Sequence, residues 1–82
     1  MNRTEFIKWL DEKSGLTRES DNSDSYWKEM MDYADFIYDE LEVEENKAIF
    51  KWERMYWGGS EWERNEYSFE EFAEKYENDS LK

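Results

Sequence analysis

Sixteen aromatic side chains, five Trp, six Tyr and five Phe, must be accommodated by an 82-residue chain whose formal net charge is −12. Acidic chains poor in rings stay disordered, because too little apolar surface is buried to offset the entropy of ordering. Here the rings supply that surface, so the chain can build a core and still present a strongly negative exterior. At this length roughly two-thirds of the unfolded surface is buried on folding, and large side chains carry a disproportionate share of the core. The expectation is one domain spanning residues 1–82.

The charge also restricts the partners. Twenty-three Asp and Glu against eleven Lys and Arg repel nucleic acid and anionic membrane and attract basic protein surfaces, which are common in proteins that handle DNA or RNA. The chain has no Cys and no His. Disulfides and thiolate metal sites are thereby excluded, and the commonest general base and transition-metal ligand are missing. No apolar run approaches the roughly 20 residues of a membrane span, and the N-terminus lacks a signal-like apolar stretch. The expectation is a cytoplasmic protein without cofactor, metal or catalytic residues.

The absence of Pro and the presence of only three Gly favour helices over a turn-rich β fold. Residues 2–13 read as an amphipathic helix capped by Asn2 with Glu5 in the reciprocal position, carrying Phe6, Ile7, Trp9 and Leu10 and stopped by Gly15. Residues 17–24 read as a polar connector. Tyr26, Met30, Tyr33, Ile37 and Leu41 recur at helical spacing, which predicts a second helix from about Ser23 to Glu44. Residues 47–57 fit a helix or a strand. A hairpin turning at Gly58-Gly59 is weakened by its second arm, where Trp62 and Tyr67 fall on opposite faces. Ser68 and Glu71 form a capping box for a last helix, with Tyr67 and Phe72 as a staple. The fold expected is therefore all-α, a compact domain of three to four helices, with an α+β arrangement carrying a hairpin at about 48–67 as the alternative.

Two features stand out as candidate partner-binding sites. On a helix, Asp32, Asp35, Asp39 and Glu42 form a stripe of carboxylates about 5 Å apart along the axis. That row resembles phosphate spacing, whereas an ordinary solvated face is the plain explanation for any one of these acids. The ring surplus is greatest around Gly58-Gly59, where Trp57, Trp62 and Arg64 have the composition of a binding hot spot. Either Trp can instead fold back over the core. Asp21, Ser23, Ser25 and Asp32 match some positions of a calcium loop, but Tyr26 stands where its turn requires Gly. Lys47, Lys51 and Arg54 read as neutralisers of neighbouring acids.

In size and acidity the chain is similar to small phage-encoded anti-restriction and anti-CRISPR inhibitors, some of which mimic DNA, and to the acidic immunity proteins that neutralise nuclease toxins. The resemblance lies in composition over the whole chain. It implies an inhibitor that occludes the DNA or RNA site of a basic nucleic-acid-handling protein without itself binding nucleic acid. The alternative is a non-catalytic adaptor, or a homodimeric module whose surplus rings pack against a second copy.

Overall fold

The computed structural model describes residues 1–81. It overturns the all-α expectation: 46% of the described residues are in strands and 26% in helices. Helix α1 (Arg3–Trp9) runs into a π-helical segment (Leu10–Ser14). Strands β1 (Thr17–Arg18), β2 (Ser25–Asp32), β3 (Asp35–Val43), β4 (Ala48–Tyr56) and β5 (Gly59–Tyr67) follow, and α2 (Phe69–Glu77) closes the order. The strands form one antiparallel sheet in sequence order, β1-β2-β3-β4-β5.

The expected helix of residues 23–44 is instead the β2–β3 hairpin, in register from Ser25↔Glu42 to Asp32↔Asp35. Its turn is Tyr33-Ala34, and Ala34 takes a positive φ of 67°. The turn in Asp-Tyr-Ala-Asp is weakly signalled: Asp flanks it on both sides, but no Gly, Asn or Pro occupies its two central positions. The spacing of Tyr26, Met30, Tyr33, Ile37 and Leu41 simply crosses that turn. Apolar residues on both faces of β2 and β3 also hide the two-residue period that marks a strand. The hairpin weighed for 48–67 is present, pairing Ala48↔Tyr67 through Tyr56↔Gly59. Its turn falls at Trp57-Gly58, with Gly58 at φ 102°.

Both helix starts lie where their caps place them. The Asn2 side chain accepts from the Glu5 amide at 2.8 Å, and the Glu5 carboxylate accepts from the Asn2 amide at 3.4 Å. The Ser68 hydroxyl accepts from the Glu71 amide at 3.2 Å, and the Tyr67 and Phe72 rings lie 6.2 Å apart. The π segment ends at Gly15, φ 75°. There the Ser14 hydroxyl donates to the Leu10 carbonyl at 2.7 Å and accepts from the Leu16 amide at 3.1 Å.

The helices cover one end of one sheet face. The core joins Phe6, Leu10 and Leu16 to Tyr26, Leu41, Val43, Ala48 and Phe50 of the sheet and to Phe69 and Phe72 of α2. Phe72 packs against five rings, those of Phe6, Trp9, Phe50, Tyr67 and Tyr76, at 5.7 to 6.3 Å. Tyr26 is fully buried; its hydroxyl donates to Asp11 at 2.8 Å, and the Arg18 guanidinium lies 5.5 Å from its ring centre. Strands of eight to nine residues are about 27–30 Å long, so β2 to β5 project past the helices, which accounts for the elongated 41 × 25 × 19 Å shape.

Candidate partner-binding surface

The projecting end of the sheet carries two hairpin tips side by side. Phe36 pairs with Met55 and Ile37 with Arg54 across the central β3–β4 ladder, so the tips are separated by about two strand spacings, roughly 10 Å. The first tip presents Met31 (78% exposed) and Tyr33 (96%), and the second presents Trp57 (101%). Trp62 (64%) lies on the face of β5 that the helices leave open. Met30, Met55 and Tyr56 are exposed in the same region. Every large exposed apolar side chain among the described residues, Met1 excepted, belongs to this distal end. Scattered exposed apolar residues are ordinary, but their concentration at one end makes this end the candidate for an interaction surface.

Carboxylates surround these rings. Among the described residues, Glu29, Asp32, Asp35, Glu53, Glu61 and Glu63 share the distal half with only Lys28 and Arg54 as bases. Asp32 and Asp35 face one another at the mouth of the first hairpin, and Arg54 Nε lies 3.8 Å from the Asp35 carboxylate. The surface therefore combines flat, rigid anchors with a negative rim, a composition suited to a partner that is apolar at its centre and basic around it.

The carboxylate stripe expected on a helix is divided by the sheet. Asp32, Asp35 and Asp39 have their side chains on the helix-bearing face and Glu42 on the opposite one, because side chains alternate along a strand. Asp39 is buried (8% exposed) beside a cleft of about 280 Å³ lined also by Lys28, Met30, Phe50 and Tyr76. Glu42 accepts from Lys51 at 3.1 Å. Only Asp32 and Asp35 remain with the tip. Of the second candidate set, Trp57 and Trp62 are exposed, and Arg64 follows Trp62 on the open face, where it donates to Glu66 at 3.3 Å. Lys47 also donates to Glu66, at 3.1 Å, and holds its carboxyl below the usual range.

Sequence reasoning missed Met31 and Tyr33 as surface residues, since a helix would have turned Tyr33 inward. The surplus of rings over what a small core holds was the available signal. Among the described residues no helix is long and apolar enough to cross a membrane, and no group of three or more His, Cys, Asp or Glu side chains is arranged to hold a metal ion. Compared with known proteins, the chain matches no family model, no curated sequence and no solved structure.

Proposed function

We propose that the protein is a non-catalytic, acidic binding protein, acting in the cytoplasm, that docks its two hairpin tips onto a basic nucleic-acid-handling protein and obstructs the DNA or RNA site. The observation that carries this reading is the cluster of Met31, Tyr33, Trp57 and Trp62 inside a rim of carboxylates on a chain of net charge −12. The charge accelerates encounter with a basic groove and makes it salt-sensitive. The rings supply the buried anchors that distinguish one basic partner from another. Phosphate mimicry by a helical row is replaced by a sheet end that fills the groove.

The test is capture from bacterial lysate by the immobilised protein and by a Tyr33→Ser/Trp57→Ser double variant, each with and without excess duplex DNA. The expected result is a nucleic-acid enzyme that the native protein retains, that DNA displaces and that the double variant fails to hold. Identical captured sets for both proteins, or retention indifferent to DNA, would sink the reading.

A second reading, a homodimeric adaptor, draws on the same apolar tip, which a second copy would cover. It predicts an oligomer that dissociates on dilution, measured by sedimentation, whereas the first reading predicts a monomer. Repulsion between two copies of charge −12 favours the first.

A further inference from the structure

The outer strand β5 ends the sheet, and its residues from Gly59 to Glu66 are all exposed. The two-residue loop makes Tyr56 and Gly59 the closing, hydrogen-bonded pair. Alternation along an antiparallel ladder then turns the amide and carbonyl groups of Ser60, Trp62, Arg64 and Glu66 away from β4. Among the described residues nothing accepts from or donates to those outward groups. Proteins usually shield such an edge, since it is a template for pairing with another chain. At the opposite margin β1 covers only Tyr26 and Trp27 of β2, so β5 is the longer uninterrupted edge.

The side chains along this edge select what can pair with it. Glu61 and Glu63 project on the helix-bearing face two residues apart, and neither makes an ion pair among the described residues. On the other face Trp62 is bare, while Arg64 and Glu66 bond one another. A second copy is a poor occupant. Antiparallel pairing of β5 with itself about Glu63 sets Glu63 against Glu63. Pairing about Trp62 sets Glu61 against Glu63, and pairing about Arg64 sets two arginines together; like charges directly opposite destabilise a strand pair. Pairing about Asn65 sets Arg64 against Glu66, but β5 ends at Tyr67, so that register engages only residues 63–67 and leaves Glu61 and Trp62 uncovered.

We infer that the β5 edge accepts an extended segment of the partner protein as a sixth strand, a segment with Lys or Arg at every second position so that two cations lie opposite Glu61 and Glu63. Main-chain bonds to Ser60, Trp62, Arg64 and Glu66 give the affinity, and the alternating charge fixes which sheet face the cations take. The inference rests on the proposed docking to a basic protein and specifies the conformation of the segment recognised.

The probe is a nine-residue peptide of alternating lysine and threonine, matching the length of β5, alongside the same peptide N-methylated at its threonines. With the lysines opposite Glu61 and Glu63, the threonine amides face β5, so methylation removes the strand bonds and leaves the charge unchanged. The expected result is binding with slowed amide exchange at Ser60, Trp62, Arg64 and Glu66, weakened about tenfold or more by methylation through the loss of at least two hydrogen bonds. Arg64→Pro, which deletes one outward donor, is expected to weaken the unmethylated peptide as well. The methylation comparison uses the native chain and is independent of that variant's folding. Equal affinity for both peptides, or protection confined to Tyr33 and Trp57, overturns strand addition and leaves the lysate capture as an independent test of docking. Protection of the same β5 amides that grows with protein concentration and without peptide also overturns it, because the edge then belongs to a second copy.

Discussion

The Tyr76 hydroxyl donates to the Ser14 main-chain carbonyl at 2.5 Å, joining α2 to the π-helical segment 62 residues earlier in the chain. The carbonyls at the end of a helix lack partners within it, and this phenol supplies one. The bond also holds together the two helices that cap the sheet, so Tyr76→Phe is expected to lower unfolding stability by about 1 kcal/mol. Denaturant titration checks it: the midpoint falls with the slope unchanged, and an unmoved midpoint contradicts the role.

The buried Tyr26 makes the fold sensitive to alkali. Burial, and then the hydrogen bond to Asp11, push its phenol up to about 12. An unfolded tyrosine titrates near 10. Between those values the native state holds a proton that the unfolded state has released, so stability is fully present below pH 10 and falls as the pH rises toward 12. Thermal melts at stepped alkaline pH are expected to show this loss in the native chain and a smaller one in Tyr26→Phe. Parallel losses would place the alkaline sensitivity elsewhere.

The two hairpin turns respond oppositely to exchange of Gly and Ala. Ala34 holds φ 67°, a left-handed conformation that costs a side chain about 1–2 kcal/mol, partly offset by the greater chain entropy that Gly loses on folding. Ala34→Gly is therefore expected to stabilise by about 0.5–1 kcal/mol and Gly58→Ala, at φ 102°, to destabilise by a similar amount. Equilibrium unfolding of the pair reads both signs.

Rings at the two ends of the sheet have different consequences. Phe72→Ala removes the ring that five others contact and is expected to cost about 3–5 kcal/mol. Trp57→Ser, at a fully exposed tip, is expected to stay within about 0.5 kcal/mol of the native stability. A large loss from the Trp57 change would mean that the ring supports the fold and is unavailable as an anchor.

The Glu66 carboxylate gathers Lys47 and Arg64 at 3.1 and 3.3 Å. Its depressed titration, caused first by the Lys47 hydrogen bond, means that the stabilisation it provides is present above the ordinary carboxylate range and is lost as the pH falls through its lowered folded value. Carbon-detected NMR titration is expected to find Glu66 below the ordinary glutamate range and to see it rise in Lys47→Gln. No rise would assign the shift to Arg64.

Where the local chemistry is self-sufficient, the elements can be read directly from the residues. Asn2 with Glu5, and Ser68 by itself, begin two helices because their side chains satisfy amides within the same few residues. Gly15 and Gly58 take the positive φ that other residues resist. The acidity of the surface and the surplus of rings are equally plain from composition. Residues 25–43 are different. Their apolar spacing is compatible with a helix, their turn is a weakly marked Tyr33-Ala34, and the decision comes from β3 bonding β2 on one side and β4 on the other. The β2–β3 bonds fall inside that window, but a lone two-stranded hairpin is marginal in water. The support that fixes it, the pairing of β3 with residues 48–55 of β4 and the core beneath, lies outside the window. The same pairing decides the site. A 3.6-residue period would have aligned Asp32, Asp35, Asp39 and Glu42, but the two-residue period of a strand buries Asp39, sends Glu42 to the opposite face and leaves Asp32 and Asp35 at a tip with Tyr33. Charge, ring supply and the two helix starts are thus written in the residues themselves; which rings remain outside is a property of the assembled sheet, because it depends on how far the strands outrun the helices that cover them.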